Sequence, residues 1–266
     1  MNRIEKAFQK NKPFIVYFTG GDGGIDYSVD CALAMIKGGA DILEIGLPFS
    51  DPVADGPVIQ RAHERALKDG TTASTILEIG KRIRAVSEIP LVLFSYYNPI
   101  LQKGTAYLKD IKSSGFDAVL LVDLALPLNP DRSEPFFQYL VDAGLIPILL
   151  ATPSSSEERL KEIAKAAKGF LYYVSQKGTT GARSKLADDF SDRMNRLRHY
   201  FSIPIVAGFG IADRASAESA LEYADGFVVG SAAVKKIEEK ISPIELTEFI
   251  RTLDPRNLNP IRKEEK

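Results

Sequence analysis

The segment IPIVAGFGIADRASAESALEYADGFVVGSAAV, Ile203 to Val234, holds two short apolar runs on either side of one helical stretch. IPIVA (203–207) and GFVVG (226–230) are continuously apolar rather than alternating, the pattern of strands buried on both faces. Between them DRASAESALEYA begins on Asp213, a residue type whose side chain caps free N–H groups at a helix start. Strand, helix and strand at this spacing make a βαβ unit, and the strands of such a unit run parallel.

The same unit recurs along the chain. Strands are expected at PFIVYFT (Pro13 to Thr19), DILEI (Asp41 to Ile45), LVLFSY (Leu91 to Tyr96), AVLLV (Ala118 to Val122), IPILLA (Ile146 to Ala151) and FLYYV (Phe170 to Val174), which with the two above makes eight. Helices are expected at SVDCALAMIKGG, TASTILEIGKRIRAV, SEPFFQYLVDAG and SSSEERLKEIAKAA, several opening on Ser or Thr and several closing on glycine. Eight βα units in 266 residues fit a closed (βα)8 TIM barrel, an α/β fold that commonly uses about 250 residues. An open doubly wound sheet shares the local pattern and is the alternative. MNRIEKAFQK would add an N-terminal helix across the bottom of the barrel, and RNLNPIRKEEK after Pro255 has the composition of a frayed tail. No linker or shift in composition divides the chain, so residues 1–266 are expected to form one barrel domain.

With 34 basic against 35 acidic residues the formal charge is −1, which offers nucleic acid or an anionic membrane no electrostatic footprint. A small molecule or another protein is the expected partner. Cys31 is the only cysteine and excludes an internal disulfide, while two histidines far apart argue against a Cys/His metal site. A reducing, cytoplasmic setting fits. MNRIEKAFQKNKP lacks an apolar core of signal-peptide length, and no run approaches the roughly 20 apolar residues that span a bilayer.

In a barrel of this kind the chemistry belongs at the C-terminal ends of the strands. There the chain reads LEIGLPFSDPVADGP, Leu43 to Pro57, with Glu44 inside an apolar strand and two more acids in the loop that follows. A carboxylate turned into apolar surroundings is costly unless it is hydrogen-bonded or functional, and burial raises its pKa toward the range of acid–base work. Glu44 is therefore the leading catalytic candidate, against the plainer reading of a charge facing a helix or a structural partner for a lysine. Pro48, Pro52 and Pro57 stiffen the loop that carries Asp51 and Asp55. Either acid also fits a simple turn, and spacing alone leaves Asp55 evenly balanced between turn former and site residue.

Three glycine clusters follow consecutive late strands: KGTTGARS (177–184), GFG (208–210) and GSAAV (230–234). Glycines allow close backbone approach, and a helix N-terminus presents free N–H groups to an anion, so this end is expected to bind phosphate. Ser231 fits either a cap or a phosphate donor. Of Tyr172 and Tyr173, adjacent on one strand, one should face the barrel interior and the other outward. His63 and His199 lie in charge-rich helical segments and are expected on the solvated surface, and Cys31 is expected to pack as a small apolar residue.

These segments together resemble the α subunit of tryptophan synthase. LEIGLPFSDPVADGPVIQ follows that family's central motif almost throughout, and YYNPI, SQKGTTGAR, AGFGI and VVGSAAVKKIE follow later blocks in the same order. The resemblance covers nearly the whole chain and implies a retro-aldol cleavage of indole-3-glycerol phosphate to indole and glyceraldehyde 3-phosphate. It puts Glu44 at the family's catalytic glutamate and Asp55 at its catalytic aspartate. It puts Gly181, Gly210, Gly230 and Ser231 around the phosphate, Tyr172 and Phe209 along the substrate pocket, and Thr180 where a threonine meets the catalytic aspartate as a loop closes. The reaction needs neither Schiff base nor metal, no cofactor is implied, and none of the expected strands contains a lysine. The implied partner is a pyridoxal-phosphate β subunit that receives indole through an internal tunnel in an αββα (α2β2) assembly, with Asn98 and Pro99 at the contact. From the residues alone, YYNPI is an exposed loop that offers some interaction surface.

The chain departs from the family pattern twice. TGGDGG after the first strand stands where the family commonly has GDP, so Gly23 loosens a loop that proline would stiffen. DLALPLNPDRSEP after the fourth lacks the usual proline and paired acids after Asp123 and is longer. Among rival readings, a triose-phosphate isomerase would need its glutamate after strand six, and a Schiff-base aldolase a lysine inside the barrel. A catalytically silent α-like protein that only activates a β partner is the remaining alternative, and retention of Glu44, Asp55, Thr180 and the glycine segments argues against it.

Overall fold

The computed structural model describes residues 1–124, 136–174, 189–208 and 210–257. In chain order the elements begin with α1 (Arg3–Lys10), β1 (Phe14–Thr19), α2 (Gly24–Gly38), β2 (Ile42–Gly46), α3 (Pro57–Lys68), α4 (Ala73–Val86) and β3 (Leu91–Ser95). Next come α5 (Tyr97–Leu101), α6 (Ala106–Ser113), β4 (Ala118–Leu121), α7 (Phe136–Asp142), β5 (Ile146–Ala151), α8 (Glu157–Ala166) and β6 (Leu171–Val174). The last are α9 (Phe190–Arg198), β7 (Ile205–Gly208), α10 (Arg214–Leu221), β8 (Gly226–Val229), α11 (Ser231–Glu238) and α12 (Pro243–Leu253).

All strands pair in parallel and in sequence, and β1 pairs with β8 through Phe14–Phe227, Ile15–Val228 and Val16–Val229. That last ladder closes the barrel and removes the open-sheet alternative. The fold is a TIM barrel.

Successive side chains on a strand point to opposite faces, and the eight strands sort accordingly into two cores. Ile15, Tyr17, Ile42, Val92, Phe94, Ala118, Leu120, Ile148, Tyr172, Val206 and Val228 fill the barrel interior. Phe14, Val16, Leu43, Ile45, Leu93, Val119, Leu171, Tyr173, Ile205 and Phe227 face the helices. Phe14 and Phe227 stack across the closing seam with ring centroids 4.6 Å apart, so truncating either removes about 3–5 kcal/mol. Tyr172 inward and Tyr173 outward is the division expected from their adjacency.

The N-terminal helix lies where the sequence puts it. Asn2 and Glu5 form a reciprocal capping box at its start, and Ile4, fully buried, joins the interior core with Phe8 packed beside it. Phe8 meets Phe170 at 5.6 Å, so the bottom of the barrel is plugged with apolar side chains and the open end is the other one. Asp213 caps α10 as expected, with its carboxylate accepting from the Ser216 N–H. α2 starts four residues before the expected SVDCALAMIKGG, because Gly23 and Gly24 take φ of +89° and turn the chain into the helix early. The residues after Asn257 lie outside the described part of the chain.

Candidate active site

β2 carries Ile42 into the interior core, so Glu44, two residues on, faces the same way. Its Cα is in register with Tyr17 of β1 and Val92 of β3. The carboxyl group is fully buried, and among the described residues neither oxygen meets a hydrogen-bond partner. Burial without compensation favours the neutral acid and pushes Glu44 up to about 8. Among the described residues no lysine pairs with it.

The loop after β2 is built as a rigid cradle for its last acid. Phe49 N–H donates to His63 Nδ1 at 2.9 Å, and Asp55 N–H donates to Pro52 carbonyl oxygen at 3.0 Å to close a turn. Gln60 Nε2 donates back to the Asp55 carbonyl at 2.8 Å, and Pro57 sits in the first turn of α3, where its missing N–H costs nothing. Asp55 itself is 2 % exposed, and Tyr96 donates its hydroxyl hydrogen to Asp55 Oδ2 at 2.8 Å. Burial raises Asp55 to about 6 while the Tyr96 hydrogen bond pulls the other way, so the group is ionised at neutral pH. Asp55 thus closes a turn and is buried as well, whereas Asp51 is exposed and accepts from its neighbour Ser50.

Both carboxyl groups line one cavity of about 430 Å³, including its mouth, at the C-terminal ends of the strands. Its other walls are Tyr17, Ile59, Phe94, Tyr172, Gly210, Ile211, Val228, Gly230 and Ser231. Two tyrosines reach into it only because strand-end glycines make room. A Cβ on Gly46 would lie 2.3 Å from the Tyr17 hydroxyl oxygen, and one on Gly208 would lie 2.1 Å from the Tyr172 ring. The buried Tyr172 hydroxyl is held well above its ordinary pKa, first by burial and then by the charges of Glu44 and Asp55.

At the far side, Gly230 precedes α11 and Ser231 is its first residue. Gly230 makes no side-chain cap, so Ser231 is not the capping residue and its hydroxyl is not spent in that way. A Cβ on Gly230 would meet only ordinary contacts, Tyr17 at 3.6 Å and Ile59 at 3.8 Å, both walls of the cavity. Gly210 adopts a left-handed φ of +86° at the turn after β7. Thr180, Gly181 and Phe209 lie outside the described residues, as do Lys177 and residues 125–135.

Three expectations need correction. His63 is not on the solvated surface: it is 2 % exposed, because it occupies the face of α3 that also buries Ile59, Ala62 and Ala66. Burial lowers it to about 4 and keeps it neutral. YYNPI is not simply an exposed loop, since Tyr96 is buried against Asp55 and Phe49 and residues 97–101 form α5, which leaves Asn98 exposed. TGGDGG, despite its glycines, is tied down: Arg65 grips Asp22 through two hydrogen bonds of 2.9 and 2.7 Å, and Ser28 accepts from Gly21 N–H.

Sequence reading missed Tyr17, Ile59, Phe94, Ile211 and Val228 as walls of the cavity. Tyr17 and Phe94 share a face with Ile15 and Val92 on their strands, so alternation carried the signal. His199 is exposed and Cys31 is buried in α2, as expected. Among the described residues no helix is long and apolar enough to cross a membrane.

The family model described as "Tryptophan synthase alpha chain" matches residues 4–254. The chain is 69% identical over 256 residues to the tryptophan synthase alpha chain of Chlamydia felis, covering 96% of this chain and 100% of the relative. Among solved structures it resembles the tryptophan synthase alpha chain of Legionella pneumophila at TM-score 0.84 and 30% identity, with 97% of this chain and 99% of that one covered. A chain of Mycobacterium tuberculosis tryptophan synthase superposes equally well, at TM-score 0.84 and 32% identity over 95% of this chain and 96% of that one.

Proposed function

The chain belongs to the tryptophan synthase alpha chain family, and on that premise we propose that Glu44 and Asp55 are its catalytic pair. The family's reaction is cleavage of indole-3-glycerol phosphate to indole and glyceraldehyde 3-phosphate, which makes the chain a carbon–carbon lyase of tryptophan biosynthesis working in complex with a β subunit. The observation that carries the assignment is the sharing of one cavity by a neutral and an ionised carboxyl group. Environments that push two pKa values apart divide acid from anion.

The protonated Glu44 delivers its proton to the indole carbon that bears the glycerol chain, which makes the carbon–carbon bond breakable. As that bond breaks, its electrons return to the ring, the adjacent hydroxyl becomes the aldehyde, and its proton goes to the Glu44 carboxylate. One proton leaves Glu44 and one returns, so the group is regenerated in each turnover. Asp55, ionised, accepts the indole N–H and stabilises the positive charge that develops on that nitrogen. Tyr172 lines the ring site with Phe94 and Tyr17, and the free N–H groups at the start of α11, with Gly210, Gly230 and Ser231, take the phosphate.

The resemblance adds Gly181 to the phosphate contacts, Phe209 to the pocket, and Thr180 to a loop that closes on Asp55. It also supports an α2β2 assembly in the cytoplasm with Asn98 and Pro99 at the subunit contact. The ladder from β1 to β8 supports one barrel domain. The test is indole release from indole-3-glycerol phosphate by the protein with its β subunit. Loss of release in Glu44→Gln supports the pair; release at the wild-type rate refutes it, and no release by the wild type under those conditions would favour the silent, partner-activating reading.

A further inference from the structure

His63 has no part in the chemistry above, yet its Nδ1 is hydrogen-bonded and its Nε2 faces two polar oxygens. Phe49 N–H donates to Nδ1 at 2.9 Å, which leaves the ring's single proton on Nε2. Nε2 stands 3.6 Å from Asp55 Oδ2 and 3.5 Å from the Tyr17 hydroxyl, and that hydroxyl is 3.2 Å from Thr19 Oγ1. A leucine at this face of α3 would pack with Ile59, Ala62 and Ala66 at no electrostatic cost, so packing alone does not call for an imidazole.

The geometry points to His63 as a positioning residue for the Asp55 carboxylate: a neutral imidazole, its tautomer fixed by the loop backbone, that aims Nε2–H at Oδ2. Tyr96 donates to the same oxygen at 2.8 Å. Two donors converge on Oδ2, and among the described residues none is paired with Oδ1, so Oδ1 is the atom left for the substrate's indole N–H. At 3.6 Å the Nε2 contact is longer than a full hydrogen bond, and catalytic contacts of this kind tighten when substrate binds. The titratable groups that face the imidazole are Asp55 and Tyr17; Glu64 beside it is exposed, and Arg65 turns to Asp22 and Glu238. This inference rests on the assignment of Asp55 made above.

The test compares His63→Gln, which keeps a donor near Nε2, with His63→Asn and His63→Leu, which do not, in the enzyme assembled with its β subunit. Turnover and KM for indole-3-glycerol phosphate are measured across the acid limb of the pH profile, with Asp55→Asn as reference. Expected are a fall in kcat of about tenfold or more for Asn and Leu, an acid limb moved to higher pH in both, and recovery of much of the loss in Gln. Should Leu fail to fold, the Gln–Asn comparison decides. Equal losses in Gln and Asn with an unmoved acid limb, while Asp55→Asn is inactive, overturn the positioning role alone. Full activity in Asp55→Asn overturns the assignment of Asp55 and this role with it.

Discussion

Tyr96 holds Asp55 from both sides of its own hydroxyl: the oxygen accepts the Ala54 N–H at 2.9 Å while its hydrogen is donated to Asp55 Oδ2 at 2.8 Å. The junction of β3 with α5 and the loop that leads into α3 are thus fastened at the carboxylate itself. Burial alone would drive Asp55 toward the neutral form, and this hydrogen bond is what opposes it. Replacing Tyr96 with Phe should raise the Asp55 pKa above about 6, move the acid limb of the pH–rate profile upward, and lower turnover about tenfold. A profile that stays in place would show the hydroxyl to be dispensable.

Glu44 sets catalysis against stability. Its pKa is raised from 4.5 to about 8 in the folded chain, so its contribution to stability is complete below pH 4.5 and is lost as pH climbs toward 8. Glu44→Gln has no charge to bury, and it should be more stable than wild type by about 4 kcal/mol at pH 8 and equal to it near pH 4. Denaturant melts of both proteins at these two pH values provide the check.

His63 adds the opposite slope. Its pKa is lowered from 6.5 to about 4, so its contribution is complete above pH 6.5 and is lost as pH falls through about 4. Wild type should therefore lose stability relative to His63→Gln between these limits, a difference visible in the same melts extended to acid.

Gly208, behind the cavity wall at Tyr172, and Gly230, in the wall itself, should respond differently. Gly208→Ala places a Cβ 2.1 Å from the Tyr172 ring, and the protein should lose both stability and activity. Gly230→Ala meets no tight contact and should fold normally, while its methyl group projects between Tyr17 and Ile59. Its expected signature is a KM for indole-3-glycerol phosphate raised about tenfold at an unchanged melting temperature. Steady-state kinetics and a thermal melt of each variant separate the two cases.

Arg65 ties the glycine-rich loop after β1 to α3 and, through Glu238 at 2.9 Å, to α11. Asp22 is buried, so Arg65→Met strands a carboxylate and should cost about 2 kcal/mol. A melt unchanged from wild type would contradict that role.

The barrel was legible because its strands are buried on both faces. Continuous apolar runs such as GFVVG mark doubly buried strands, and observed strand ends fall within two residues of the expected ones; only the β1–β8 ladder separated a closed barrel from an open sheet. Glu44 was legible because it is out of place in such a run. His63 was not, because its sequence neighbours Glu64 and Arg65 are polar, and burial on a helix depends on residues three and four away, here Ile59 and Ala66. Tyr96 was hidden for another reason: its partner Asp55 is 41 residues distant, and only the parallel pairing of β3 with β2 brings the end of β3 beside the loop after β2.

A crystal structure of the Glu44→Gln protein with indole-3-glycerol phosphate bound would examine the pairing of roles most directly. The expected complex has Asp55 Oδ1 about 3 Å from the indole nitrogen, the substituted amide on β2 at the ring carbon that carries the glycerol chain, and the phosphate at the start of α11. A complex with the indole nitrogen turned away from Asp55, or the phosphate remote from Gly230 and Ser231, would contradict it.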